Sequence, residues 1–430
     1  MKKLDRARTA TVQKLDGPAT YLRRVRQLEM HRVMSKHLLC ATLGALAALL
    51  SMSVLSCERS RSSGGIVRDS SGIRLVQLSA QDIDQAPVLV LSAEPDIVIG
   101  DVDGDSMSVL FRIVDAAAIS AGEVAVLLPH EVRVFSRQSG FVRRFGRQGE
   151  GPGEFAYASS LAILGDSILV LDEGLQRFSV FTQEGGLVRS FQIAPPMRNP
   201  RLAGVLGEGA LLLLDDHYSR PERGYEMFYT HVSKHDMEGQ RIDSLSLQPL
   251  AEFGQLQSVD IITTKTFGAL MATAGHPGGY WQVPGPPEVS LRGGDGELRV
   301  ITRWDGGSLR VSEAAVKQHI DVLVAAAKAE HRARRRSELE ETAVANTYPA
   351  TFRAIASSEG DLWAEEFQPF TSKRPRRWLV FDATGHLRSR VTLPAALEPF
   401  EVTRTYVLGK LVDEDGIERV VKYSLSYASN

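Results

Sequence analysis

The most constraining feature of the sequence is a repeated unit of short apolar segments. Each copy has a turn with glycine and an acidic residue, an apolar segment, a second segment that ends in an aromatic residue, a glycine turn and a third segment. The clearest copies cover residues 121–145, 165–191 and 360–391. Short apolar runs bounded by glycine or aspartate are typical of β-strands. The chain beyond residue 70 is therefore predicted to be all-β.

The spacing of the repeat predicts how these strands are grouped. When the copies are aligned on the aromatic residue, Phe135, Phe181 and Phe381 correspond, and His235 and Tyr423 fit as weaker members. Phe135 and Phe181 are 46 residues apart, and Phe381 and Tyr423 are 42 apart. A period of 40–50 residues with four short strands is typical of propeller blades, which stack because one sheet cannot bury both faces alone. We predict a single β-propeller of six blades, with five or seven as alternatives.

Blade boundaries follow from the same alignment. The predicted blades cover residues 106–150, 155–195, 200–248, 257–304, 350–394 and 396–427. The last is too short for four strands, so we expect Ile73–Leu78 or Val88–Leu91 to complete it and remove the exposed sheet edge. Between the fourth and fifth blades, residues 312–346 have apolar residues at three- and four-residue spacing after Ser312, which indicates an amphipathic helical insertion.

One glycine-rich segment resembles a known family. Residues 144–155 (RFGRQGEGPGEF) resemble the inter-blade loop of NHL-repeat-like six-bladed propellers of bacterial envelope lipoproteins, and residues 170–181 and 347–363 resemble blades of that family. The resemblance covers roughly residues 95–425 and implies an exported six-bladed propeller. Leu128-Pro129-His130 departs from the acidic turn of that family, so no ligand is inferred from this loop.

An export signal precedes the repeats. Residues 38–55 contain no charged side chain, Lys36 precedes them, and Val54-Leu55-Ser56-Cys57 follows the pattern of a bacterial lipobox. Basic residues, an apolar run and small residues before a cleavage site form a secretory signal. We predict lipidation at Cys57, with an uncleaved membrane anchor as the alternative.

These features predict four regions. Residues 1–33 are a mis-called or disordered extension, 34–57 a lipoprotein-type signal peptide, 58–70 a flexible tether, and 71–430 the propeller. Glu58 follows the cysteine in place of the aspartate associated with inner-membrane retention. We therefore expect a lipid-anchored protein of the cell envelope, at the outer membrane rather than the inner.

Composition excludes several classes of function. The net charge is −2 at pH 7 and the pI is about 6.6, which gives no overall field for nucleic acid. The two cysteines, Cys40 and Cys57, precede the mature domain, which leaves it without a disulfide or a cysteine zinc site. No cofactor, metal ligand or catalytic residue is predicted. His231 and His235 have no helical face on which to form a metal pair, and Asp101-Val-Asp103-Gly-Asp105 fits a solvated turn better than a calcium loop.

Two basic clusters are the candidate ligand-binding residues. The first consists of Arg332, Arg334, Arg335 and Arg336 in the insertion, and the second of Arg374, Arg376 and Arg377 in a blade-five loop. The alternative is a solvated helix face neutralised by Glu338, Glu340 and Glu341.

The leading hypothesis is a binding or scaffolding propeller, attached to the membrane through the Cys57 lipid, for a peptide, glycan or partner protein. The alternative is a calcium-dependent lactonase or esterase, or a metal-assisted lyase, whose carboxylates would come from Asp115, Asp172, Asp215, Asp260 and Asp382.

Overall fold

The computed structural model describes residues 65–428, except 101–105, 120–121, 138–139, 218–220, 222–223, 257–260 and 370–373. The signal segment and Cys57 lie outside the described residues. In the described part the chain forms 28 strands and three α-helices, and none of these helices is long and apolar enough to cross a membrane.

The described chain begins with a segment that precedes the first blade, here called the N-terminal belt (residues 66–99). The belt comprises β1 (Ile66–Ser70), β2 (Ile73–Leu78), α1 (Ala80–Asp84), β3 (Val88–Leu91) and β4 (Ile97–Ile99). Ser79 caps α1, because its hydroxyl accepts the Asp82 N–H while the Asp82 carboxylate accepts the Ser79 N–H, the reciprocal arrangement that favours a helix start.

Three antiparallel sheets follow in chain order. Blade 1 contains β5 (Asp115–Ala118), β6 (Glu123–Leu127), β7 (Val132–Ser136) and β8 (Gly140–Phe145). Blade 2 contains β9 (Ala158–Leu164), β10 (Ser167–Asp172), β11 (Arg177–Thr182) and β12 (Leu187–Gln192). Blade 3 contains β13 (Pro200–Val205), β14 (Leu211–His217), β15 (Tyr225–His235), β16 (Arg241–Leu256) and β17 (Ile261–Thr264).

The second half of the chain forms three more blades and the insertion. Blade 4 contains β18 (Ala272–His276), β19 (Gly279–Val283), β20 (Glu288–Gly293) and β21 (Leu298–Trp304). The insertion carries α2 (Glu313–Ala326) and α3 (Arg332–Glu341). Blade 5 contains β22 (Thr351–Ala356), β23 (Leu362–Glu366), β24 (Arg376–Phe381) and β25 (Leu387–Leu393). Blade 6 contains β26 (Leu397–Val402), β27 (Tyr406–Val412) and β28 (Glu418–Tyr427).

The six sheets form a closed ring. The first strand of each blade contacts the first strand of the next, in the order β5, β9, β13, β18, β22 and β26, and β26 returns to β5. Each of the six interfaces between neighbouring blades has its own buried apolar cluster. Phe145 of blade 1 lies 4.8 Å from Phe181 of blade 2, and Trp304 of blade 4 lies 5.5 Å from Phe381 of blade 5, between ring centroids. The fold is an all-β, six-bladed propeller, as the repeat predicted.

The N-terminal belt closes the outer edge of the last three blades. β2 pairs in parallel with β21 of blade 4, β3 pairs with β25 of blade 5, and β3 and β4 both pair with β28 of blade 6. The prediction that an N-terminal strand completes the last blade is therefore confirmed for Val88–Leu91. It was wrong for Ile73–Leu78, which joins blade 4, and it missed Ile97–Ile99.

Two predicted boundaries were also wrong. Blade 3 extends to residue 264 instead of 248, because β16 is 16 residues long and a fifth strand pairs with its end. Blade 4 consequently begins at residue 272. Residues 66–70, expected as the end of a flexible tether, form β1 against β2. The insertion has two helices where the pattern indicated one.

The glycine-rich segment links blades 1 and 2. Gly146 and Gly153 have φ of +81° and +75°, and the Arg177 guanidinium donates to the carbonyl oxygens of Glu150, Gly151 and Glu154 at 2.7–2.9 Å. This segment is held by the next blade, so its described contacts are those of a structural linker.

Candidate functional site

The two faces of the propeller differ in what they carry. In an antiparallel blade, successive connections emerge at opposite ends of the sheet. The link from the fourth strand to the next blade and the loop between the second and third strands therefore share one face. The insertion, which joins β21 to β22, and the blade-5 loop that ends at Arg376 both lie there. This face is called the insertion face, and the other the opposite face.

Aromatic contacts fix the insertion to blades 3 to 5. The Phe267 ring, in the link between blades 3 and 4, lies 4.7 Å from the His319 ring of α2 and 5.0 Å from Tyr348. Tyr348 in turn stacks on Phe367 of the blade-5 loop at 5.6 Å. The insertion has a small core of its own, formed by Ile320, Val324 and Leu339 with Val316 and Leu323. It is therefore a packed element that tertiary contacts hold in place.

An open groove of about 740 Å³ lies at the start of α2. Its apolar lining comes from Val311, Val316, Ile320, Val344 and Ala345, and its polar lining from Arg310, Ser312, Glu313, Lys317, Arg336, Glu340 and Asn346. Arg310 and Val311 form part of the lining, and the Val311 N–H donates to the Asn346 carbonyl at 3.1 Å. An apolar floor with polar groups of both signs at its rim is the usual composition of a binding site.

The structure places the first predicted basic cluster on the exposed surface of the insertion. Arg334 and Arg335 both pair with Glu338, at 2.8 Å and 3.3 Å, and Arg336 pairs with Asp321 at 2.8 Å and Glu340 at 3.5 Å. Arg332 instead donates to the carbonyls of Ala327 and Ala325. Most of the cluster is thus paired as the charge-compensated alternative expects, and only Arg336 also lines the groove.

The second predicted cluster lies at the loop between the second and third strands of blade 5, on the same face. Arg376 pairs with Glu365 at 3.0 Å, Arg377 forms a two-point pair with Glu366, and Arg374 precedes them in the same loop. Burial raises the pKa of Glu365, which is 2% exposed, although Arg376 and Arg353 oppose this effect. The structure therefore brings both predicted clusters to one face, without joining them into one site.

Most candidate carboxylates of the enzyme alternative have structural partners. Asp172 accepts the N–H groups of Ala156, Tyr157 and Leu175 at 2.7–3.2 Å, and Asp215 accepts those of Arg198 and Asn199. Asp382 accepts the N–H groups of Thr384 and His386 inside its own turn. Asp260 and residues 101–105 lie outside the described residues.

Asp115 differs from the other carboxylates. It lies on β5 and accepts the N–H of Leu161 on β9 at 2.9 Å, which connects the first strands of two blades. Burial, together with the charge of Glu401, raises its pKa to about 7. Glu401 on β26 forms the corresponding link to blade 1, since it accepts the Ala118 N–H at 2.7 Å.

The two histidines considered as a metal pair have separate partners. His231 Nε2 bonds to the Ser244 hydroxyl, whereas His235 bonds to the Gly239 carbonyl at 3.1 Å and the Ser233 hydroxyl at 3.0 Å. Burial lowers the pKa of both imidazoles. Across the described part of the chain, no group of three or more His, Cys, Asp or Glu side chains is placed to hold a metal ion.

Sequence reasoning missed a buried ion cluster on the opposite face. Asp361, which is 1% exposed, accepts two hydrogen bonds from Arg404 at 2.8 and 3.1 Å and lies 3.3 Å from Arg388. Asp361 belongs to the repeated Gly-Asp turn, but the equivalent Asp166 of blade 2 is exposed. The repeat marked the turn, and nothing in it distinguished the buried aspartate from the exposed one.

Comparison with known proteins gives structural likeness without a family. No protein-family model matches the chain, and no curated protein matches it in sequence. A protein of Bacteroides fragilis for which export is proposed has 13% identity and a TM-score of 0.45, covering 83% of this chain and 100% of its own. A DUF4221 family member from Bacteroides vulgatus has 11% identity and a TM-score of 0.41, covering 80% of this chain and 100% of its own.

More distant likenesses include named propellers. The calcium-binding protein regucalcin of Agrobacterium tumefaciens has 10% identity and a TM-score of 0.33, covering 79% of this chain and 96% of its own. BamB of Moraxella catarrhalis has 8% identity and a TM-score of 0.30, covering 73% and 82%. Since all four TM-scores are below 0.5, the propeller assignment depends on the sheet topology described above.

Proposed function

We propose that this protein is an exported, lipid-anchored propeller that serves as a binding or scaffolding module in the cell envelope, with the groove on the insertion face as its binding site. The observation that supports this most is the groove itself. It has an apolar floor and a charged rim, and it is built on an insertion that aromatic contacts fix to the propeller. A rigid scaffold that presents an added loop element is a common way to build a recognition surface.

A peptide segment of a partner protein is the occupant that suits the groove best. The Val311 N–H and the Leu309 carbonyl are both used toward residues 346–348, so the backbone edge of Arg310, a groove-lining residue, points away from them. Among the described residues, the Arg310 N–H and carbonyl have no hydrogen-bond partner. An extended peptide could pair with such an edge and place apolar side chains against Val316 and Ile320.

Site-specific photo-crosslinking in intact cells tests this proposal. A benzophenone amino acid at Lys317, an exposed groove residue, is expected to give a discrete protein adduct. The same amino acid at Asp166, exposed on the opposite face, is the control. Ala345→Trp, which fills the groove, should abolish the Lys317 adduct. Equal labelling at both positions, or a Lys317 adduct that survives Ala345→Trp, would contradict the assignment of the groove.

The lipid anchor is supported by the lipobox-like Val54-Leu55-Ser56-Cys57 and has its own test. The intact mass of the mature protein from membranes should correspond to an acylated chain that begins at Cys57, and Cys57→Ser should release the protein into the soluble fraction. A mature chain that retains residues 38–55 would instead show an uncleaved anchor.

A further inference from the structure

The position of β1 determines where the described chain starts on the propeller. Ile66 pairs with Gln77 in β2, and Leu78, the next residue of β2, pairs with Trp304 at the end of β21. Two strand spacings, about 10 Å, separate β1 from β21. The Asp305 N–H, at the first residue of the insertion, donates to the Leu78 carbonyl at 3.3 Å. Gly65 therefore lies at the insertion face, next to the beginning of the insertion.

The length of the preceding chain limits how far this face can lie from Cys57. Seven residues, 58–64, separate Cys57 from Gly65. Cys57 and Gly65 are eight positions apart, and even a fully extended chain of this length spans at most about 29 Å. A lipid on Cys57 would hold Gly65 within that distance of the membrane surface.

The turn and first part of the second insertion helix carry a local excess of positive charge. Residues 328–336 contain Lys328, Arg332, Arg334, Arg335 and Arg336 against Glu330, and Glu338, Glu340 and Glu341 follow in the same helix. Lys328 and Arg332 have no carboxylate partner among the described residues. In the Arg334–Glu338 pair 66% of the arginine side chain is accessible, whereas only 12% of the glutamate side chain is. These guanidinium groups are therefore accessible to phosphate oxygens, which accept paired hydrogen bonds from arginine.

We infer that the insertion face is directed toward the membrane and that residues 328–336 bind the anionic headgroups of its lipids. This inference depends on the proposed lipid anchor, because the anchor would hold Gly65, which lies on the same face as the basic segment, near the bilayer. Headgroup phosphates attract a cluster of lysine and arginine at short range. Residues 328–336 thus act as a second membrane contact, and the opposite face is left directed away from the bilayer.

Chemical footprinting on vesicles tests the orientation. The chain from residue 57 onward has Cys57 as its only cysteine, so it can be coupled to a maleimide lipid that reproduces the tether. Vesicles contain phosphatidylcholine with or without phosphatidylglycerol. Phenylglyoxal modification is measured by peptide mass spectrometry at Arg334 and at Arg299. Arg299 is the matched control, since it also forms an i,i+4 pair, with Asp295, is 52% exposed, and lies on the opposite face.

We expect phosphatidylglycerol vesicles to slow modification of Arg334 several-fold and to leave Arg299 unchanged. Protection of Arg299 alone, or of neither arginine, would overturn the inference. The maleimide lipid imposes attachment, so this result does not depend on natural acylation. Failure of the proposed anchor would appear separately, in the mass of the mature N-terminus.

A variant with Arg332, Arg334, Arg335 and Arg336 changed to Gln tests the charge requirement. Its readout is acetylation of Lys328 with and without phosphatidylglycerol. Loss of the lipid-dependent protection supports headgroup binding, whereas unchanged protection contradicts it. Circular dichroism checks that the fold of the variant is preserved.

Discussion

At the scale of single residues, Asp115 should make the stability of the ring depend on pH. Its folded pKa is about 7, against an ordinary value of 3.8, so between these values the folded state binds a proton that the unfolded state has lost. The free energy of unfolding must therefore fall as pH rises from about 4 to about 7. One pKa unit corresponds to about 1.4 kcal/mol, and we expect a loss on the order of 2–4 kcal/mol.

Urea unfolding of the wild type and of Asp115→Asn, each measured from pH 4.5 to 8 in steps of about one unit, checks this expectation. Because asparagine does not titrate, the difference between the two stabilities should decline with pH and then level off above about pH 7. Asp166→Asn, at an exposed turn, is the control and should leave the profile unchanged. Parallel profiles for the wild type and Asp115→Asn would show that Asp115 is ionised across this range.

Two glycines separate the effect of backbone conformation from that of packing. Gly385 and Gly416 occupy hairpin turns of the same local geometry, in which each glycine N–H donates to the aspartate carbonyl three residues earlier, and have φ of +82° and +80°. A Cβ at Gly385 would lie 2.4 Å from Val300 Cγ1 and 2.5 Å from Thr302 Oγ1, whereas one at Gly416 would meet no atom within 4 Å. Gly416→Ala should cost about 1 kcal/mol for the positive φ, and Gly385→Ala about 1–3 kcal/mol more for the clash. Equal losses in urea unfolding would contradict the packing argument.

At the scale of strands and helices, local sequence patterns predicted the elements that nearby residues determine, namely single strands and the helical insertion. The alternation and turn residues located the strands of blades 1, 2 and 5, and the apolar spacing after Ser312 located the insertion. The pairing of the N-terminal belt could not be predicted, because β2 pairs with a strand more than 200 residues away and its sequence carries no mark of that partner. The predicted end of blade 3 was wrong for a related reason: the added strand, β17, pairs only with the extended end of β16.

The candidate site was predictable only in part. The basic residues of the insertion are visible as a charge run, and Arg332, Arg334, Arg335 and Arg336 lie on the second insertion helix. The groove was not predictable, because its walls come from residues 310–320 and 336–346, and only the packing of the two helices sets the distance between them. Asp361 and Glu401 each accept hydrogen bonds from a residue of a neighbouring blade. The repeat pattern describes the residues of one blade only, so it could not predict these contacts.

The belt strands should differ in their contribution to stability. Val76 in β2 is 2% exposed and packs in the cluster between blades 4 and 5, whereas Ile66 in β1 is 38% exposed. Val76→Asp would bury an unpaired charge and should cost at least about 3 kcal/mol. Ile66→Asp should change stability by less than about 1 kcal/mol. A small effect of Val76→Asp in thermal unfolding would show that β2 is dispensable for blade 4.

At the scale of the whole molecule, the described elements are distributed unequally between the two faces. The insertion, both basic clusters and the start of β1 lie on the insertion face, while the Asp361 ion cluster lies on the opposite face. In a chain attached to a membrane beside its own insertion, the insertion face, which carries the groove, would lie nearer the lipid than the opposite face. The loops of both faces are carried by the same six blades, so the position of each loop depends on the ring staying closed.

The ring is closed without a covalent link, and β28 is the strand on which closure depends. Its first half pairs with β4, its second half with β3, and it also pairs with β27 of its own blade.

Truncation after Val412 removes β28 and leaves β4 without its partner. The apolar cluster between blades 6 and 1, which includes Val420 and Ile99, would then lose one wall. We expect this variant to unfold at a lower temperature and in a broad transition, because the blades would no longer unfold as one unit. Truncation after Tyr427 keeps β28 and is the control. Near-ultraviolet circular dichroism follows the buried tryptophans of blades 4 and 5, and an unchanged sharp transition in the shorter chain would mean that the first five blades are stable without closure.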